Sequence, residues 1–125
     1  MNNQRIAIIG LGRIGSAFLD KMLPRHGQGI ELVCVAEVHD TPGRQQAIKA
    51  GIGVRTLDDV VHLGQGVDVI FDLTGLPDIR RELREKLAIS GNRHTTIASE
   101  SVVRVIWSLI STDILPVIEG RQVGY

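Results

Sequence analysis

Six residues near the start of the chain, Gly10-Leu11-Gly12-Arg13-Ile14-Gly15, have the types and spacing that open a backbone to an anion. They follow a β-branched run, Arg5 to Ile9, and lead into Ile14, Phe18 and Met22, which are spaced by four. The glycines therefore fall where a strand ends and a helix begins. Glycine at 10 permits the tight turn out of the strand. Glycine at 12 keeps a side chain out of the path of a pyrophosphate, and glycine at 15 lets helix and sheet pack closely. The helix start adds unpaired N–H groups and the positive end of its dipole. Arg13 and Ile14 lie inside the same turn, so Gly10, Gly12, Arg13, Ile14 and Gly15 are together the candidate cradle for a dinucleotide.

A second signal lies 22 positions after Gly15, in Val35-Ala36-Glu37-Val38-His39-Asp40. A carboxylate ending the second strand accepts hydrogen bonds from the adenosine ribose hydroxyls and repels a 2′-phosphate. Glu37, with Val38 beside it, thus favours NAD over NADP, and Asp40 is the alternative acid if the strand runs longer. Arg44 and His39 stand close enough to hold a 2′-phosphate, although for Arg44 the reading as a solvated helix residue weighs more. Ligands of open α/β sheets sit beyond the carboxyl ends of the strands. That rule adds Thr74 and Gly75 after the fourth apolar run, and Ser99 with Glu100 after the fifth. Cys34, between Val33 and Val35, reads as core. The four histidines are scattered without metal-ligand spacing, and no Ser-His-Asp arrangement is suggested. The mixed-sign run Arg80 to Lys86 reads as a solvated helix face.

The elements that must position these residues alternate along the chain. Strands are expected at Arg5–Ile9, Ile30–Val38, Val54–Arg55, Val67–Leu73 and His94–Ala98. The helices between them begin after Gly12, at Thr41-Pro42-Gly43, at Thr56 and at Pro77, and the last runs from Ser101 to Ser111. Thr56 with Asp59 three residues on resembles a capping box. Such alternation predicts an α/β fold with a doubly wound parallel sheet of about five strands in the order 3-2-1-4-5. One domain is expected over residues 1–125, with its core over 5–111 and a tail at 112–125. The last helix is apolar around nearly its whole circumference, interrupted only by Arg104 and Ser108. One stripe can cover the sheet; the rest calls for the tail Ile114 to Ile118, a second copy or a second domain.

Composition excludes several classes of partner. Fourteen Lys+Arg balance fourteen Asp+Glu among 125 residues, which leaves no field to draw nucleic acid or an anionic membrane. A single cysteine excludes a disulfide framework and points to the cytoplasm. No apolar run approaches a membrane span, and the N-terminus lacks the pattern of a signal peptide. Fourteen glycines with 3% aromatics suit tight turns rather than a base-stacking platform.

With these residues in place, the chain resembles the NAD(P)-binding N-terminal Rossmann domain of the glucose-fructose oxidoreductase/inositol dehydrogenase families. It is similar in the same half to aspartate and homoserine dehydrogenases. Ile8 to Gly15, Val35-Ala36-Glu37, Thr56 to Asp59 and Asp68 to Gly75 carry the resemblance, which covers about residues 5 to 100. It implies the same fold and a nicotinamide cofactor. Those enzymes place a catalytic lysine in a Glu-Lys-Pro-like segment after the fifth strand; Ala98-Ser99-Glu100-Ser101-Val102 has none. They also continue into a large substrate domain, for which residues 112–125 leave no room. The expectation is therefore an NAD(H)-binding module without its own substrate domain, serving as a regulatory, sensory or N-terminal part of a larger protein. The alternatives are an oxidoreductase fragment or subunit, and an interaction domain whose nucleotide site is unused.

Overall fold

A computed structural model of the chain describes residues 3–111. Four parallel strands form one sheet: β1 (Gln4–Ile9), β2 (Ile30–Ala36), β3 (Val69–Asp72) and β4 (Thr96–Ala98), in the spatial order β2-β1-β3-β4. The helices are α1 (Arg13–Met22), α2 (Pro42–Lys49), α3 (Leu57–His62), α4 (Pro77–Ile89) and α5 (Glu100–Ile110). The expected third strand, Val54–Arg55, contracts to a single parallel bridge between Val35 and Val54. Gly53 before it and the helix cap at Thr56 after it leave two residues to pair, too few for a ladder. Its place beside β2 is the one the order 3-2-1-4-5 assigns it.

Both sheet faces are covered, as strands apolar on both sides require. Along β1, Ile6 and Ile8 face one core with Phe18, Leu19, Ala47, Val103 and Trp107, contributed by α1, α2 and α5. Ala7 and Ile9 face the other, with Val60, Val61, Leu83 and Leu87 from α3 and α4. The rings of Phe18 and Phe71 meet at 4.8 Å in a tilted arrangement, locking α1 onto β3. Ile14, Phe18 and Met22 are all buried, as their spacing predicts.

Local chemistry sets the helix starts. Thr56 accepts from the Asp59 N–H at 3.1 Å, and the Asp59 carboxylate accepts from the Thr56 N–H at 3.4 Å, completing the capping box. Thr41 caps α2 by accepting from the Arg44 N–H at 3.1 Å. Lys86 on α4 pairs with Asp58 on α3 and with Glu82.

At the other end of the sheet, Asp68 precedes β3 and ties three segments. It accepts the Arg5 backbone N–H at 2.8 Å, Arg5 Nη2 at 3.0 Å, and His94 Nε2 at 2.6 Å. The hydrogen bonds from the Arg5 side chain, then from its backbone and from His94, hold the Asp68 carboxyl well below the usual carboxylate range. The fold thus favours the charged carboxylate. Its contribution is present at neutral pH and is lost as pH falls below the ordinary aspartate value of about 3.9. Asp68→Asn should therefore destabilise the protein at pH 7, and the gap to the parent should close on acidification. Urea titrations at several pH values measure this; a gap that does not change with pH contradicts it.

On α5, Val103 and Trp107 are buried against the sheet, and Lys21 Nζ sits 5.7 Å from the Trp107 ring centroid. Val102, Val105, Leu109 and Ile110 are exposed. The expected covering segment, Ile114 to Ile118, lies outside the described residues. Among the described residues no helix is long and apolar enough to cross a membrane.

Candidate functional site

The chain reverses direction across the sheet between β1 and β3, and the cleft opens there, beyond the carboxyl ends of the strands. Its volume is about 810 Å³, and its wall includes Gly10, Gly12, Arg13, Ile14, Glu37, Val38 and Thr74. The fold thus assembles residues from the β1–α1 turn, the end of β2 and the end of β3 around one space.

The three glycines have different local demands. Gly10 has φ +93°, and a Cβ on it would stand 2.8 Å from the Leu73 carbonyl carbon and the Thr74 nitrogen. A Cβ on Gly15 would stand 1.8 Å from the Gly10 carbonyl oxygen, so helix and turn touch backbone to backbone. Gly12 differs: a Cβ there would meet no protein atom within 4 Å. Nothing in the protein packing demands glycine at 12, and the space a side chain would enter is the cleft. Gly12 is also the N-cap of α1 and supplies no side chain to the first-turn N–H groups. An anion fits such a helix start.

Strand β2 ends at Ala36, whose carbonyl accepts the Gly10 N–H at 2.8 Å. Glu37 and Val38 therefore lie just past the strand instead of closing it. The cause is visible in the Glu37 carboxylate: Oε1 accepts the Leu11 N–H at 2.7 Å, and Oε2 accepts the His39 N–H at 3.0 Å. The first bond ties the end of β2 to the glycine turn, and the second bends the chain away from the sheet. Each oxygen keeps acceptor capacity for a ribose hydroxyl. Val38 is 91% exposed on the wall, an apolar surface with no protein cover. Asp40 is exposed and pairs with Gln45.

Thr74 is held from below. Its N–H and hydroxyl both donate to Asp72 Oδ1, at 3.2 and 2.8 Å, while Asp72 Oδ2 accepts from Arg80 Nε at 3.1 Å. Asp72 is 0% exposed, so this is a buried carboxylate with charged and neutral donors around it. Arg80 consequently departs from the solvated face expected for residues 80–86: its side chain is 29% exposed and points back to β3. Sequence reasoning missed this pair. The available signal was a lone carboxylate in the apolar run Val69 to Leu73, which requires a partner.

Gly75 turns at φ +70° between Thr74 and Leu76, both of which line the cleft. Ser99 is the N-cap of α5 at the end of β4 and is not part of the cleft wall. Its neighbour Glu100 is buried and pairs with Arg104 at 2.6 Å. Burial pushes the Cys34 thiol up to about 11, so it stays un-ionised and is no nucleophile. A smaller depression, about 550 Å³, lies by α3 and α4 with Asp58, His62 and Lys86 in its wall; it contains none of the sequence-derived candidates.

The architecture and the cleft at the switch point define a Rossmann-type α/β domain. Solved structures share this fold. A putative myo-inositol dehydrogenase from Sinorhizobium meliloti 1021 matches with 25% identity and a TM-score of 0.59, over 78% of this chain and 27% of that one. Scyllo-inositol dehydrogenase from Lactobacillus casei, solved with NAD(H) and scyllo-inositol, matches with 17% identity and a TM-score of 0.61, over 86% and 34%. Homoserine dehydrogenase from S. aureus matches with 16% identity and a TM-score of 0.60, over 88% and 29%. The chain thus spans about a third or less of the length of these dehydrogenases. No protein-family model and no curated protein sequence matches it.

Proposed function

We propose that this chain binds NAD(H) in the cleft at the ends of β1, β2 and β3, as a cytoplasmic dinucleotide-binding module. The carrying observation is the pairing of an uncapped α1 start at Gly12 with the Glu37 carboxylate across one space. The α1 N–H groups and Arg13 would hold the pyrophosphate, and Glu37 would accept the adenosine ribose hydroxyls. Thr74 and Gly75 would border the nicotinamide half. Support comes also from the NAD(H) bound to the L. casei enzyme. The bound nicotinamide would supply hydride chemistry, but Ala98 to Val102 places no lysine beside it. The reading is therefore a regulatory or sensory module, or the N-terminal part of a larger protein. The exposed residues of α5 are the surface we assign to a second copy or second domain.

A second reading, a dehydrogenase fragment or subunit, draws on the dehydrogenase structures that share the fold. Absorbance at about 340 nm separates the two, because hydride transfer creates or removes the reduced nicotinamide band. The chain with NAD and scyllo-inositol or homoserine should bind nucleotide without changing that band; turnover would make it a catalytic part.

Glu37 carries a prediction of its own. Glu37→Ala removes the ribose acceptors and the tie to Leu11, so NADH affinity should fall by about tenfold or more, and its advantage over NADPH should narrow. Fluorescence titration with both nucleotides reads this; unchanged affinities would assign the ribose contact elsewhere.

A further inference from the structure

The wall of the cleft is unevenly built. Its residues come from the glycine turn, the ends of β2 and β3, the starts of α2 and α4, and the segment from Val54 to Asp59. Among the described residues, none of β4 or α5 lines it. Val38 is exposed on this wall, and Leu57 and Ile79 are half-buried there, which gives an apolar surface suited to a flat ring. One wall therefore offers apolar side chains for a base, the Glu37 carboxylate for a sugar and the α1 start for a pyrophosphate. Towards β4 the polar groups turn inward instead. The buried Asp72 carboxylate holds Thr74 and Arg80, and the buried Glu100, at the head of α5, pairs with Arg104 at 2.6 Å. The Thr74 hydroxyl donates to Asp72 and accepts the Leu76 N–H at 3.2 Å. Side chains at the nicotinamide edge are thus engaged with the protein itself.

We propose that the cleft reads the adenosine diphosphate group and is indifferent to what that group carries, so that NAD, NADH and ADP-ribose are equivalent ligands of this chain. The inference rests on the dinucleotide reading above and names what such a module reports: the supply of adenosine diphosphate carriers, not the oxidation state of nicotinamide. Two ligands are told apart only through the part in which they differ. NAD and NADH differ in the nicotinamide ring, whose charge and planarity change on reduction, and ADP-ribose lacks that ring altogether. The two carboxylates nearest that edge, Asp72 and Glu100, are buried and each is met by an arginine. The positive charge of the oxidised ring therefore gains little from them.

Calorimetric titration of the chain with NADH, NAD, ADP-ribose and nicotinamide mononucleotide tests this. The first three should bind within about threefold of one another. Nicotinamide mononucleotide, which lacks the adenosine half, should give no heat up to about 1 mM. Val38→Asp changes an exposed residue of the apolar wall, and far-UV circular dichroism checks that it is folded. It should weaken the first three ligands by one common factor of about fivefold or more. A gap of more than about threefold between NADH and either NAD or ADP-ribose overturns the proposal and leaves the dinucleotide reading standing. Binding of nicotinamide mononucleotide, or unequal or absent losses in Val38→Asp, overturns it too. A folded chain silent towards all four overturns the dinucleotide reading, and this inference with it.

Discussion

Gly12→Val should abolish nucleotide binding and leave the fold intact. A Cβ at 12 would meet no protein atom within 4 Å, and Gly12 lines the cleft, where the pyrophosphate would lie against the α1 start. The expected loss is about 100-fold or more in NADH affinity, equivalent to about 2.7 kcal/mol. The flanking glycines make the control. Gly15→Val drives a Cβ to 1.8 Å from the Gly10 carbonyl oxygen, and Gly10→Val combines φ +93° with backbone 2.8 Å away. Both should cost more than about 3 kcal/mol in stability, beyond ordinary overpacking, because backbone cannot step aside as a side chain does. Circular dichroism melts and NADH titrations of the three variants should therefore separate: one folded and blind to nucleotide, two unfolded or strongly destabilised. A Gly12→Val chain that binds like the parent would remove the pyrophosphate from this turn.

The second large effect lies beneath the cleft. Asp72→Ala strips the fully buried carboxylate from Arg80 and from both donors of Thr74. Breaking a buried charged pair from one side costs about 3–5 kcal/mol, and that is the loss expected in urea denaturation. Arg80→Ala combined with Asp72→Ala should be less destabilising than the sum of the two single changes, because the partners share one interaction. Additive losses would mean that Arg80 and Asp72 do not support each other. Because Thr74 borders the cleft, the Asp72→Ala chain should also bind NADH more weakly wherever it remains folded.

What the amino-acid sequence discloses follows from the range of the forces involved. The strand-glycine-helix order at residues 5–22 is legible because each glycine answers a local backbone requirement, and the capping box at Thr56 is local in the same way. The alternation of apolar runs with helical spacing sets the doubly wound layout. Val54–Arg55 reads as a strand because its residue types suit one, yet its length depends on Gly53 and Thr56 crowding it from either side. Asp72 and Arg80 are eight residues apart, and helical periodicity places Arg80 on a polar face; only the packing of α4 on β3 turns it inward. Glu37 is legible as a carboxylate at a strand end. That it reaches back 26 residues to the Leu11 amide is visible only once β1 and β2 lie side by side. Ser99 shares the correct sheet edge but sits beyond β3, which separates it from the cleft wall.

The central claim is that the cleft between the glycine turn and Glu37 holds a nicotinamide dinucleotide. Its most direct test is a calorimetric titration of the purified chain with NADH. One site per chain at micromolar affinity, lost in Gly12→Val, is the predicted result. No heat with NADH, from a chain shown to be folded, would contradict it.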